Sequence, residues 1–239
     1  MLIVLRDMTK QAQIEDELRR VHQEIGSLSA PGGSASGGGN TLEEFERARA
    51  AASATVRAVA AVAERRDPYT ANHQKRVSDL AQAIAREMGL SDERVEGVRV
   101  AGILHDTGKV VVPSDILSKP GRLSEFEFGI IKSHPKADFE IVEGIEFPWP
   151  VAQTVLQHHE RLDGSGYPSG LKGEDIVLEA RILAVADVVE AMASHRPYRP
   201  ARGIEKALDE INSNAGRLYD PEVVRACTRL FRDRHYELA

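Results

Sequence analysis

The stretch from Arg181 to Met192, "RILAVADVVEAM", is apolar nearly all the way round a helix and yet carries Asp187 at its middle. A helix that is apolar on every face is buried. This one therefore reads as the centre of the fold, with other helices packed around it. An ionised carboxylate in such a place needs a partner of opposite charge. One helical turn to either side brings Leu183 and Ala184, then Glu190 and Ala191, and no Lys or Arg. A metal ion is the economical partner. Taken alone, Asp187 reads better as a cap or a buried hydrogen-bonded group.

Outward from this helix the pattern stays helical. Helices are predicted over about 71–89, 91–106, 123–144, 148–160, 175–194, 201–214 and 220–236. The stop signals between them are Gly89, Gly108, Pro113, Gly121, Pro148, Gly164 to Pro168, Pro197, Pro200 and Gly216. No strand alternation appears, so the fold class is all-α, a bundle built by helix packing.

Two further predicted helices end in ionisable residues after an apolar approach. "VRVAGILHDTGKV" (98–110) leads into His105-Asp106, and "VAQTVLQHHE" (151–160) leads into His158-His159. Each histidine alone is an ordinary core residue. Together, His73, His105, Asp106, His134, His158, His159 and Asp187 form a set that core packing does not explain. Imidazole and carboxylate without thiolate suit divalent iron, manganese, cobalt, nickel or zinc. Adjacent helical residues point about 100° apart. His158 and His159 are therefore expected to reach different ions, and Asp106, beside His105, is free to bridge. The spacing predicts two metals; a pair about 3.5–4 Å apart is the arrangement that cleaves phosphate esters. The glycines after the histidine pair are expected to supply the positive φ of an immediate turn.

Composition narrows the classes. The 239 residues are 42% hydrophobic, enough for a globular core, and the formal net charge of −6 comes from interspersed acids and bases. That argues against the basic stripe a polymeric nucleic acid needs, but not against a locally basic pocket for a small anion. The single cysteine, Cys227, precludes an internal disulfide and fits a reducing, cytoplasmic compartment; it reads as a packing residue. No apolar run reaches the length of a membrane span, and the first residues lack the cationic start and cleavage site of a signal peptide.

The N-terminal part has its own organisation. "MLIVLRDM" (1–8) reads as a short apolar strand. Ile14, Leu18, Val21, Ile25 and Leu28 form a heptad seam, the mark of a parallel dimer; the alternative is an amphipathic helix packed on its own domain. "APGGSASGGGN" (30–40) reads as a flexible linker. Thr41 opens an Ala-rich helix to about Arg66, and Asp67-Pro68 breaks it. The division is thus 1–29 for the strand and coiled-coil helix, 30–40 for the linker, and 41–239 for the catalytic domain.

"HDTGK" followed by "HHERLDGSGYP" resembles the HD-GYP family of cyclic di-GMP phosphodiesterases, within the HD phosphohydrolase superfamily. The resemblance extends through His73, Lys109, His134 in "KSHP", "VADVVEAM" and "RPYRP" (196–200), over about residues 55–235. It implies a helical bundle with metals at its centre. His73, His105, Asp106, His134, His158, His159 and Asp187 would be ligands, with Asp106 bridging. Lys109 would contact the scissile phosphate, Arg196 and Arg199 would hold the dinucleotide, and Gly166 and Tyr167 would shape the pocket rim.

The implied cofactors are two divalent ions, iron or manganese first, with nickel, cobalt or zinc as alternatives. Family members with a third metal carry a glutamate four residues before the first histidine ligand. Tyr69 stands there, so two ions are expected. His195 departs from the aspartate common before "RPYR" and reads as peripheral. The implied reaction is hydrolysis of cyclic di-GMP to pGpG, and more slowly to GMP. Another nucleotide substrate is the first alternative, against which the Gly-Tyr-Pro segment counts. A non-catalytic sensor or interaction module is the second, against which the complete ligand set counts. "VLRDMTKQAQIEDELRR" (4–20) resembles the end of a PAS sensor domain, which implies an upstream sensor and a homodimer through the N-terminal helix.

Overall fold

A computed structural model of the protein describes residues 56, 72–119, 121–194 and 201–238. The N-terminal strand, heptad seam, linker and all of the Ala-rich helix but residue 56 fall outside these residues, as do Tyr69, His195, Arg196 and Arg199. The chain forms two compact units, Met1–Ala58 and Val59–Ala239, and every element named below lies in the second.

The expectation of an all-α architecture holds. Among the described residues there are helices α1 (His73–Glu87), α2 (Asp92–Leu104), α3 (Ser114–Leu117), α4 (Glu125–Ile131), α5 (His134–Val142), α6 (Val151–Gln157), α7 (Leu178–Ala193), α8 (Ile204–Ser213) and α9 (Pro221–Asp233). Short 3-10 turns cover Thr107–Val111 and Gly173–Asp175. No strand occurs among these residues; the extended pairings are two isolated bridges, Asp163 with Lys172 and Ala215 with Tyr219.

α7 is the buried centre that its composition requires. Ala180, Ile182, Leu183, Val185, Ala186 and Val189 are fully enclosed, and α1, α2, α6, α8 and α9 all pack on it. α1 turns a stripe of Val77, Leu80, Ala81 and Ile84 into the same core. The spacing of three and four residues keeps these on one face. α2 crosses α1 closely. A Cβ on Gly102 would sit 2.8 Å from the Ser78 Cα, so only glycine lets the two backbones meet. Cys227 is fully buried in α9, and burial pushes its thiol up to about 12. It is the packing residue expected.

Three of the differences from the predicted bounds fall where the chain bends to bring a histidine inward. The helix predicted over 123–144 is two helices, α4 and α5, separated at Lys132 and Ser133. Pro135 has no N–H to give to an earlier carbonyl, so it is tolerated only in the first turn of a new helix. The predicted 148–160 helix ends at Gln157, and the predicted 91–106 helix ends at Leu104. The histidines of both motifs thus lie at the helix ends, not inside them.

Because α1 and α2 meet backbone to backbone, Gly102→Ala should force them apart. Overpacking of this kind costs about 1–3 kcal/mol, and a domain of this size should melt about 3–10 °C lower. A thermal denaturation curve measures it; an unchanged midpoint would mean that the crossing relaxes freely.

Candidate metal centre

The helix ends converge on one point. His105 closes α2, His158 closes α6, and His134 opens α5 just after α4 has ended. The last carbonyls of a helix have no intrahelical donor, and each of these histidines uses one. His105 Nδ1 donates to the Gly102 carbonyl at 2.8 Å, His134 Nδ1 to the Ile131 carbonyl at 2.7 Å, and His158 Nδ1 to the Val155 carbonyl at 2.6 Å. The same i to i−3 bond, made three times, fixes one tautomer. It leaves each Nε2 as a bare lone pair aimed at the centre.

His73 is oriented differently. It begins α1 and donates Nδ1–H to the Glu190 carboxylate of α7. Glu190 is itself held by the Arg76 Nε at 2.6 Å and by the Ser194 hydroxyl at 2.7 Å. The His73 Nε2 then faces Asp187 Oδ1 at 3.3 Å and Asp106 Oδ2 at 3.7 Å. Neither Glu190 nor Arg76 was singled out by sequence reasoning. Their one sequence signal is that Glu190 lies one turn beyond Asp187 on the buried helix.

Two groups result, each with its ligand atoms within 4.8 Å of one another: His73, His105 and Asp187 in one, His134, His158 and His159 in the other. Asp106 lies between them. Its Oδ2 is 3.6 Å from the His105 Nε2, and its Oδ1 is 3.6 Å from the His134 Nε2. All seven candidate ligands are thus brought together. The expectation that His158 and His159 reach different ions is corrected, since both fall in the same group. His158 keeps helical backbone angles as the cap of α6, and the two rings lie 4.0 Å apart at a tilt of 40° with His134 against both.

The electrostatics fit a cation here. His134 Nε2 and His158 Nε2 are 3.4 Å apart. With both Nδ1 protons given to carbonyls, neither Nε2 has a proton to offer the other. Two lone pairs face each other and call for a positive charge between them. His105 Nε2 is fully buried without a hydrogen-bond partner. Burial pushes His134 down to about 4 and His159 down to about 3. Burial, then the neighbouring histidines His159 and His105, hold His158 well below the usual imidazole range. These three are neutral at pH 7, the form that binds metal. Burial opposes ionisation of Asp106, but Lys109, His105, His134 and His73 outweigh it and hold its carboxyl well below the usual range. The residues present therefore fit divalent metal ions.

The residues expected on the substrate side are placed as follows. Lys109 reaches Asp106 Oδ2 at 2.7 Å from the solvent side, its side chain 17% exposed. Tyr167 stacks on His159, ring centroids 4.7 Å apart, and its N–H donates to the His159 carbonyl at 3.3 Å. Gly166 is glycine for room and not for φ. A Cβ there would sit 2.4 Å from both the Arg161 N and the Glu160 Cα. The positive φ belongs to Gly164 and Gly170. Glu160, buried and unforeseen, clamps the loop: its carboxylate accepts from the N–H groups of Ser169 at 2.7 Å, Gly170 at 3.2 Å and Leu171 at 3.1 Å.

Comparison with known proteins places the chain. The family described as HD domain matches residues 57–223. The chain is 43% identical over 192 residues to the cyclic di-GMP phosphodiesterase response regulator RpfG of Xanthomonas campestris pv. campestris, covering 80% of this chain and 49% of that protein. It is 45% identical over 171 residues to a cyclic di-GMP phosphodiesterase of Thermotoga maritima, covering 71% and 46%. It therefore spans about half the length of these curated relatives. Among solved structures, the cyclic GMP-AMP specific phosphodiesterase V-cGAP3 of Vibrio cholerae matches with a TM-score of 0.53 at 28% identity, covering 83% of this chain and 49% of that one. The chain belongs to the HD-domain family, and its His105-Asp106 pair with the Gly166-Tyr167-Pro168 loop fits the HD-GYP branch of it.

Proposed function

We propose that this chain is a phosphodiesterase that hydrolyses cyclic di-GMP, using two divalent metal ions. The observation that carries the reading is the position of Asp106, one oxygen toward each of two ligand groups, 3.6 Å from the His105 Nε2 on one side and 3.6 Å from the His134 Nε2 on the other. His73, His105 and Asp187 would hold one ion, His134, His158 and His159 the other, and Asp106 both. When bound, such ions lower the pKa of water and offset charge on phosphoryl oxygens.

The chain's own residues supply the rest. The three carbonyl-anchored imidazoles hold their lone pairs in place before any ligand arrives. Glu190 fixes the His73 ring, whose pKa, against the effect of burial, Asp187 and Glu190 raise to about 9, so that metal binding there must displace a proton. Lys109 stands at the solvent side of Asp106, where its ammonium can offset charge on the scissile phosphate. Tyr167 walls the site beside His159. Arg196 and Arg199, in the segment after α7, would grip the remainder of the dinucleotide through their planar forks. Iron or manganese is the expected metal, with nickel, cobalt or zinc as alternatives. Tyr69 replaces the carboxylate a third ion would need. Residues 41–239 would form the catalytic domain, joined by the 30–40 linker to a helix that pairs two chains below a sensor, in the cytoplasm. The likeness to a cyclic GMP-AMP specific enzyme favours that mixed dinucleotide as the second substrate to try.

Supplied anaerobically with Fe²⁺ or Mn²⁺, the protein should convert cyclic di-GMP to pGpG, which accumulates before GMP. Chromatography over a time course measures it, and absence of turnover would favour a sensor. Asp106→Ala should reduce turnover to background while circular dichroism stays helical.

Glu190→Gln should weaken metal affinity about 10- to 100-fold by loosening His73. Competition for Mn²⁺ with a chelator reads this without recourse to activity, and an unchanged affinity would refute the role. Light scattering on the full chain should find a dimer; a monomer at micromolar concentration would reject pairing through Ile14 to Leu28.

A further inference from the structure

Among the described residues the large hydrophobic side chains left in water are Phe126, 79% exposed, and Phe128, 44% exposed. Both stand on α4, a helix with no buried residue. Its first turn is nevertheless fixed. Ser124 and Glu127 form a reciprocal capping box, and the Lys119 ammonium holds both Glu127 oxygens at 2.7 Å. A helix anchored at its start and bare along its side presents its rings in a set position.

The two phenylalanines differ in what they face. The Phe128 ring meets the edge of Tyr167, centroids 6.3 Å apart at 82°. Tyr167 in turn stacks on the candidate ligand His159 at 4.7 Å. A row of rings thus runs outward from the metal centre, His159 to Tyr167 to Phe128. The Lys132 ammonium stands over its outer end, 4.9 Å from the Phe128 centroid and 5.4 Å from that of Tyr167. Among the described residues Phe126 makes no ring contact.

An exposed aromatic face with a cation above it, one ring out from the reacting centre, matches a purine that carries phosphate. Stacking serves the flat base, and the ammonium serves the anion. A cyclic dinucleotide has two such halves. With one phosphate at the metals, the other half projects outward and needs a seat at some distance.

We propose that Phe128 and Lys132 of α4, together with Tyr167, form the seat for the half of the cyclic dinucleotide that is not being cleaved; this rests on the dinucleotide reading above. Phe128 stacks on the purine. Lys132 pairs with the distal phosphate. The break between α4 and α5 that turns His134 inward also sets α4 beside the loop, so the seat and the metal centre share one hinge of chain.

The test is steady-state kinetics of the full, Mn²⁺-loaded chain on cyclic di-GMP and on methyl p-nitrophenyl phosphate, a phosphodiester with no base. Phe128→Ala should raise the KM for cyclic di-GMP about tenfold or more, as loss of one base stack implies. It should affect the small diester far less, and Phe128→Trp should restore the KM. Lys132→Ala should raise the KM and flatten its dependence on salt. Phe126→Ala, outside the row of rings, should behave as the unsubstituted protein. A KM within twofold in Phe128→Ala, equal losses on both substrates, or an equal effect of Phe126→Ala would each overturn the seat alone. If the unsubstituted protein cleaves the small diester but not cyclic di-GMP, the dinucleotide reading fails and takes the seat with it.

Discussion

The described bundle is organised around one buried carboxylate. Asp106 is 4% exposed, and an anion so deep is costly unless charges surround it. Its two oxygens face His73, His105 and Lys109 on one side and His134 on the other. These residues come from the starts of α1 and α5 and from the end of α2 with the turn after it. For all to reach one point, the helices must stop where they do. Gly102 lets α1 and α2 close up, and Pro135 forces a fresh start at α5.

Rigidity at the centre comes from ordinary helix ends. A terminal carbonyl that would otherwise seek water takes a proton from an imidazole, as at Gly102, Ile131 and Val155. The bond satisfies a backbone acceptor and fixes a tautomer together. His73 lacks such a carbonyl and uses Glu190, with Arg76 balancing the added charge. Three of the candidate ligands are thus oriented by backbone groups that any helix possesses.

The loop after the histidine pair is fixed as firmly. Glu160 is 2% exposed and gathers three successive backbone N–H groups of the returning chain. Gly166 lies against the Glu160 and Arg161 backbone with no room for a side chain. Tyr167 is thereby pressed onto His159. A residue adjacent in sequence to a candidate ligand thus positions the Tyr167 wall without joining either ligand group.

The sequence by itself determined the fold class, the burial of α7 and a candidate donor set, because local periodicity records which residues leave water and which polar groups break the pattern. His73, His105, Asp106, His134, His158, His159 and Asp187 were all legible that way. Tertiary structure alone decided the partnerships. His73 and Glu190 are 117 positions apart, and nothing local links them. The sharing of one group by His158 and His159 depends on α5, which brings His134 against both rings. The split of 123–144 and the steric need for Gly166 likewise arise when distant backbones meet. Periodicity reports the environment of a side chain, and only packing chooses its neighbour.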